Sequence, residues 1–156
     1  MSNNPPTLSF HIDVEIGDAI ASHVGTAWIT ALETAAIATL TQQEIPAPAS
    51  LTLLLTDDAQ LQQLNNDYRG CDKPIDVLSF ESGEEMPGIG LYLGDIAISI
   101  ETAAKQASAA SHTLLRELQL LTIHGVLHLL GHDHAEPEEK ETMWAAQNEI
   151  WNNQAE

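Results

Sequence analysis

The chain has a single cysteine, Cys71, so no disulfide can form within it and its stability must come from packing. Basic residues are almost as scarce. Five Lys and Arg stand against 23 Asp and Glu, for a formal net charge of −18 at pH 7. That balance favours solubility and argues against general affinity for anionic polymers or membrane surfaces. Long hydrophobic runs are missing too, and none approaches the roughly 20 apolar residues of a membrane-spanning helix. The opening Met1-Ser2-Asn3-Asn4-Pro5-Pro6 has neither the basic nor the apolar segment of a secretory signal, and a cytoplasmic setting is expected. Internal repeats, low-complexity tracts and linkers are absent. What is present is 44% hydrophobic residues in a chain of 156, enough for one domain over 1–156 with a real core.

The hydrophobic pattern predicts an α+β domain. TLSFHIDVEI (7–16) alternates loosely and reads as a strand, and the Ala- and Leu-rich 23–43 as a long helix ended by IPAPAS. LTLLLT (51–56) is a continuous apolar run, the mark of a strand buried on both faces. Thr56 or Asp57 then caps a short helix that ends at Tyr68. RGCDKP (69–74) reads as a loop, IDVLSFES (75–82) as a strand, GEEMPGIG (83–90) as a turn-rich connection, and LYLGDIAIS (91–99) as a fourth strand. Gly94 inside that last strand signals a bulge or a close backbone approach. Ser99 caps a helix over about 100–110, and further helices cover about 112–131 and 137–153. The expected architecture is a small mixed four-stranded sheet packed with about five helices.

HGVLHLLGHDH (124–134) carries the chemistry. His124 and His128 are four apart, so on a helix both rings share one face, roughly 40° apart and about 6 Å along the axis. Gly131 can take positive φ, end the helix and reverse the chain, which brings His134 back over the pair. Three converging neutral imidazoles leave an open position on a divalent transition metal, zinc by ligand type. Asp133 is placed to accept the free N–H of a ligating ring. His132 reads as an ordinary turn residue, and Glu117, near the same helical face, as a solvated carboxylate. The spacing is close to that of the zinc proteases, H-E-x-x-H-x-x-G-x-x-H, but Gly125 stands where their general-base glutamate belongs, which counts against peptide hydrolysis.

Three ordered segments resemble the YbeY family of bacterial endoribonucleases and rRNA maturation factors. HGVLHLLGHDH is similar to its H-G-x-L-H-L-x-G-x-D-H signature. LNNDYRGCDKPIDVLSF (64–80) is similar to its L-N-x-x-Y-R-x-x-D-x-P-T-D-V-L-S-F, with Ile75 where the pattern has threonine, and LGDIAIS (93–99) to its Leu-Gly-Asp-Ile strand. The matches span 64–134, close to half the chain. The resemblance implies a metal-dependent endoribonuclease that prefers single strands and acts in small-subunit rRNA 3′-end maturation and ribosome quality control. It implies partners in single-stranded rRNA, the small ribosomal subunit and its proteins or assembly factors, with no membrane and no DNA. It places a zinc-like ion on His124, His128 and His134, and a functional arginine at Arg69.

The residues alone leave Arg69 open between a surface ion pair with Asp67 or Asp72 and a guanidinium fork onto phosphate; the resemblance favours the fork. Lys73, in the same loop, is a further cleft candidate. Tyr68 and Phe80 can stack a base, with core packing the favoured reading for Phe80. Two other functions remain in view. One is a metallohydrolase of another substrate class. The other is a ribosome-assembly factor whose metal holds the fold and whose acidic surface meets basic ribosomal proteins.

Overall fold

The computed structural model describes residues 9–70, 75–87, 90–132 and 136–154. Its strands are β1 (Phe10–Ile16), β2 (Ala49–Thr56), β3 (Val77–Met86) and β4 (Gly90–Ser99). Its helices are α1 (Thr26–Gln42), α2 (Asp58–Arg69), α3 (Ile100–Ala110), α4 (Leu114–Leu129) and α5 (Pro137–Asn152), with a short 3-10 segment over Asp18–His23. The strands form one sheet in the order β1-β2-β4-β3, parallel except for the β3–β4 hairpin. This is the mixed four-stranded α+β domain with five helices that the sequence predicts. Among the described residues, no helix is long and apolar enough to cross a membrane.

β2 lies inside the sheet, which explains its unbroken apolar run. Leu51, Leu53 and Leu55 face one side, where Leu32, Ala36 and Leu40 of α1 and Leu118 and Val126 of α4 meet them together with Ile96 and Ile98. Leu54 faces the other side, where α2 lays Leu61 and Leu64 over Leu78 and Ala97. A separate cluster joins Ile123 and Leu127 of α4 to Met143, Ala146 and Ile150 of α5. α4 is therefore covered by the sheet, α1, α3 and α5.

Apart from small shifts at other ends, three boundaries differ from expectation. The first long helix starts later, at Thr26, because Gly25 is extended (φ −95°, ψ 162°) and separates it from the 3-10 segment. Arg69, expected in a loop, is the last residue of α2, which closes at Gly70 in the left-handed region (φ 64°). The 83–90 connection is largely strand: β3 continues to Met86, and the register slips between Glu81 and Glu84, where Gly83 has φ 69°.

The start of α2 is braced to the start of α3. Asp57 caps α2 by accepting from Gln60 N–H (2.9 Å), and Ser99 caps α3 by accepting from Thr102 N–H (3.3 Å). The Ser99 hydroxyl also donates to Asp58, as does Thr102 Oγ1 (2.6 Å), while Asp58 N–H donates to Glu101 Oε1 (2.9 Å). These bonds, from Ser99 first and Thr102 second, hold the Asp58 carboxyl below its ordinary value of 3.8. The brace fixes the direction of the helix that ends in Arg69.

Candidate functional site

From residue 117 to residue 129, every side chain of α4 is buried except Leu120, His124 and His128. These three recur every four residues, so they form one stripe on a helix otherwise wrapped by neighbours. A helix with so little free surface has one side on which to place polar chemistry, and both imidazoles stand there. Their ring centres are 5.0 Å apart with planes tilted by 59°. His124 Nδ1 is hydrogen-bonded to Gln147 Oε1 of α5 at 2.9 Å.

α4 ends as its glycine requires. Gly131 has φ 95°, its N–H donates to His128 O (3.0 Å), and His132 N–H donates to Leu127 O (3.0 Å). The chain thus reverses immediately after the paired histidines. Asp133 and His134 lie outside the described residues, as does Lys73. His132 points away from the pair: its Nε2 meets Gln43 Oε1 at 2.6 Å, at the C-terminal cap of α1.

His124 and His128 line a cleft of about 750 Å³ whose other walls are the end of α2 and the first half of β3. Arg69 and Tyr68 line it from α2, Val77, Ser79 and Glu81 from β3, and Asp76 from the position just before β3. Arg69 is the cation that lines this cleft among the described residues. Among the described residues no ion pair joins it to Asp67, which instead accepts from Gln63 Nε2 (2.8 Å); Asp72, the other partner considered, lies outside them. Tyr68 is 70% exposed, and its ring lies 4.7 Å from that of half-buried Phe80. Phe80 thus packs with the cluster of Leu61 and Leu78 and also meets the Tyr68 ring, tilted against it by 54°. Ile75 also lines the cleft, so the departure from the threonine of the motif replaces a hydroxyl with an alkyl wall at the site itself.

Two glycines let these pieces approach. A Cβ on Gly94 (φ 140°) would fall 2.1 Å from Phe80 O, so the close backbone approach expected in this strand is real. A Cβ on Gly125 would fall 2.7 Å from Ile96 Cγ2. Position 125 therefore points into the sheet, and the glutamate of the proteases has no room there.

One reading of the sequence is overturned. Glu117 is not solvated: it is 5% exposed, and its Oε1 sits 2.6 Å from His112 Nε2. The packing of α3 and α5 around the first turns of α4 removes the water that a helix surface would otherwise offer. Two residues of the site were not singled out in the sequence. Gln147 lies on a different helix, 23 residues beyond the histidine it touches. Asp76 sits in a quoted motif but reveals its place only here, with its carboxylate accepting from Val77 N–H (2.8 Å) and Gln106 Nε2 (3.1 Å) at the cleft wall.

Comparison with known proteins gives a consistent result. The family model described as Endoribonuclease YbeY matches residues 15–155. A protein of that name from Roseiflexus sp. (strain RS-1) is 41% identical over 146 residues, covering 89% of each chain. Another from Geobacillus kaustophilus (strain HTA426) is 39% identical over 156 residues, covering 92% of this chain and 95% of the other. A solution structure of a Thermotoga maritima protein superposes with a TM-score of 0.55 at 27% identity, covering 90% of this chain and 89% of that one.

Proposed function

Because this chain belongs to the YbeY endoribonuclease family, we propose that it cleaves single-stranded RNA with one divalent transition metal, zinc by ligand type, on His124, His128 and His134. We infer that it acts in the cytoplasm on small-subunit rRNA 3′ ends, in maturation and ribosome quality control, with small-subunit proteins or assembly factors as partners and RNA rather than DNA as substrate.

The observation that carries this reading is the meeting of the histidine pair with Arg69 across one cleft. The donor set suits the ion. Two imidazoles bound at about 2.0–2.1 Å and opened to a tetrahedral angle have ring centres about 5 Å apart, and the pair stands at 5.0 Å. A carboxamide oxygen at Nδ1 of His124 (2.9 Å) is the arrangement in which the ring would ligate through Nε2. When bound, the ion would supply Lewis acidity towards a phosphate oxygen.

The protein's own groups account for the rest. Arg69 presents a planar fork to the same phosphate and stabilises the charge that develops on it during cleavage. Exposed Tyr68, steadied by Phe80, offers a face on which an unpaired base can stack. Such a face serves a single strand and is closed to a duplex, whose bases are already stacked. Gly125 removes the protease base, and a peptide, unlike RNA, brings no internal 2′-OH that could serve as nucleophile.

The charge of −18 favours a second role beside cleavage, the docking of basic ribosomal proteins on the acidic surface. The test of the main reading is zinc-loaded protein incubated with single-stranded RNA, duplex RNA and casein. Cutting of the single strand alone is expected. His124→Ala, His128→Ala and His134→Ala should each lose the metal by elemental analysis, whereas His132→Ala should keep it. Full zinc in His134→Ala would sink the tripod.

A further inference from the structure

We propose that Gln147 is a positioning residue for His124: its carboxamide oxygen accepts the Nδ1–H of the ring and thereby fixes the neutral tautomer that ligates through Nε2. The proposal rests on the metal reading above and extends it, because it makes α5 part of the metal centre. The contact is direct, at 2.9 Å. A neutral imidazole carries one proton, and which nitrogen holds it is decided by the hydrogen bond the ring makes. An acceptor at Nδ1 leaves Nε2 as the lone-pair donor. The reverse tautomer would put a proton where the ion must bind.

The carboxamide is well placed to hold the ring. Gln147 is half-buried, and its helical neighbours Met143, Ala146 and Ile150 pack on Ile123 and Leu127, the residues flanking the histidine stripe. α5 is also tied to α1 by Gln42 Nε2, which donates to Glu149 Oε2 (3.2 Å). The oxygen that meets His124 therefore stands on a helix docked on two sides. Partners of this kind change metal affinity by about 10–100-fold when removed.

The test uses the full chain with Gln147→Leu and Gln147→Glu. Zinc affinity is read by competition with a chromophoric chelator. The ring tautomer is read in the metal-free protein by two-bond ¹H–¹⁵N correlation above the imidazole titration range, with His124 assigned by loss of its signals in His124→Ala. Gln147→Leu should bind zinc about 10–100-fold more weakly and shift His124 towards the Nε2–H form. Gln147→Glu, which keeps an acceptor oxygen, should restore both. An unaltered tautomer in Gln147→Leu would overturn the proposal, as would a loss of zinc that Gln147→Glu fails to restore. If the wild-type chain takes up no zinc, the metal reading falls, yet the tautomer of the metal-free ring still decides the role of Gln147.

Discussion

Arg69 carries much of the proposed mechanism in a chain with so few cations. Arg116 is engaged elsewhere, stacked 4.4 Å from the Trp151 ring centre and donating to Trp151 O (3.1 Å) and Gln154 O (3.2 Å). Lys140 lies over Trp144 at 4.4 Å. Arg69, by contrast, stands at the cleft, on the last turn of α2. Arg69→Ala should keep fold and metal and lose activity by about 10²–10³-fold, the usual cost of removing one charge-stabilising donor. Arg69→Lys should be nearly as poor, since a point charge cannot replace a planar fork. Steady-state cleavage with circular dichroism and metal content as controls checks this, and wild-type turnover in Arg69→Ala would remove the residue from the mechanism.

At the scale of elements, α4 lies against the sheet because position 125 has no side chain. Gly125→Ala puts a Cβ 2.7 Å from Ile96 Cγ2, so either Ile96 turns or the helix lifts. Overpacking of this kind costs about 1–3 kcal/mol, which urea denaturation should detect, together with weaker zinc binding if the helix moves. The α2–α3 brace makes a prediction with a definite sign. The Asp58 carboxyl is held below 3.8 by its hydrogen bonds, so the folded state prefers it ionised. Its contribution is complete above the unfolded value of about 3.9 and fades as pH falls through the lowered folded value. Asp58→Asn should therefore be less stable than wild type at pH 7, by under about 1 kcal/mol given solvent screening, with the gap closing below about pH 4. A gap that persisted at pH 2 would mean that shape rather than charge makes the brace.

For the whole molecule, a charge of −18 repels RNA everywhere except where a cation is offered. Only a short stretch of substrate can then be neutralised, on the order of two to three counterions. RNA affinity should be weak, with a shallow slope of log K against log salt. Fluorescence anisotropy with a labelled single strand at several salt concentrations checks this. A steep slope would mean that a partner protein supplies the missing positive surface.

The sequence by itself determined what depends on neighbours within a turn or two. The spacing of His124 and His128, the reversal at Gly131, the caps at Asp57 and Ser99 and the both-face burial of β2 are all local, because propensity, periodicity and backbone freedom act over a few residues. Tertiary structure decided what depends on which apolar faces meet. Packing brought α5 against α4 and put Gln147 beside His124; no pattern in either helix specifies that pair. It buried Glu117 against His112, which a helical wheel places in water. It inserted β4 between β2 and β3 and so set Asp76 and Ile75 in the wall facing the histidines. It also joined Arg69 to a stripe more than 50 residues away, because α2 and α4 are held by the same sheet, and contacts between remote faces are chosen by the packing of the whole chain rather than by either segment.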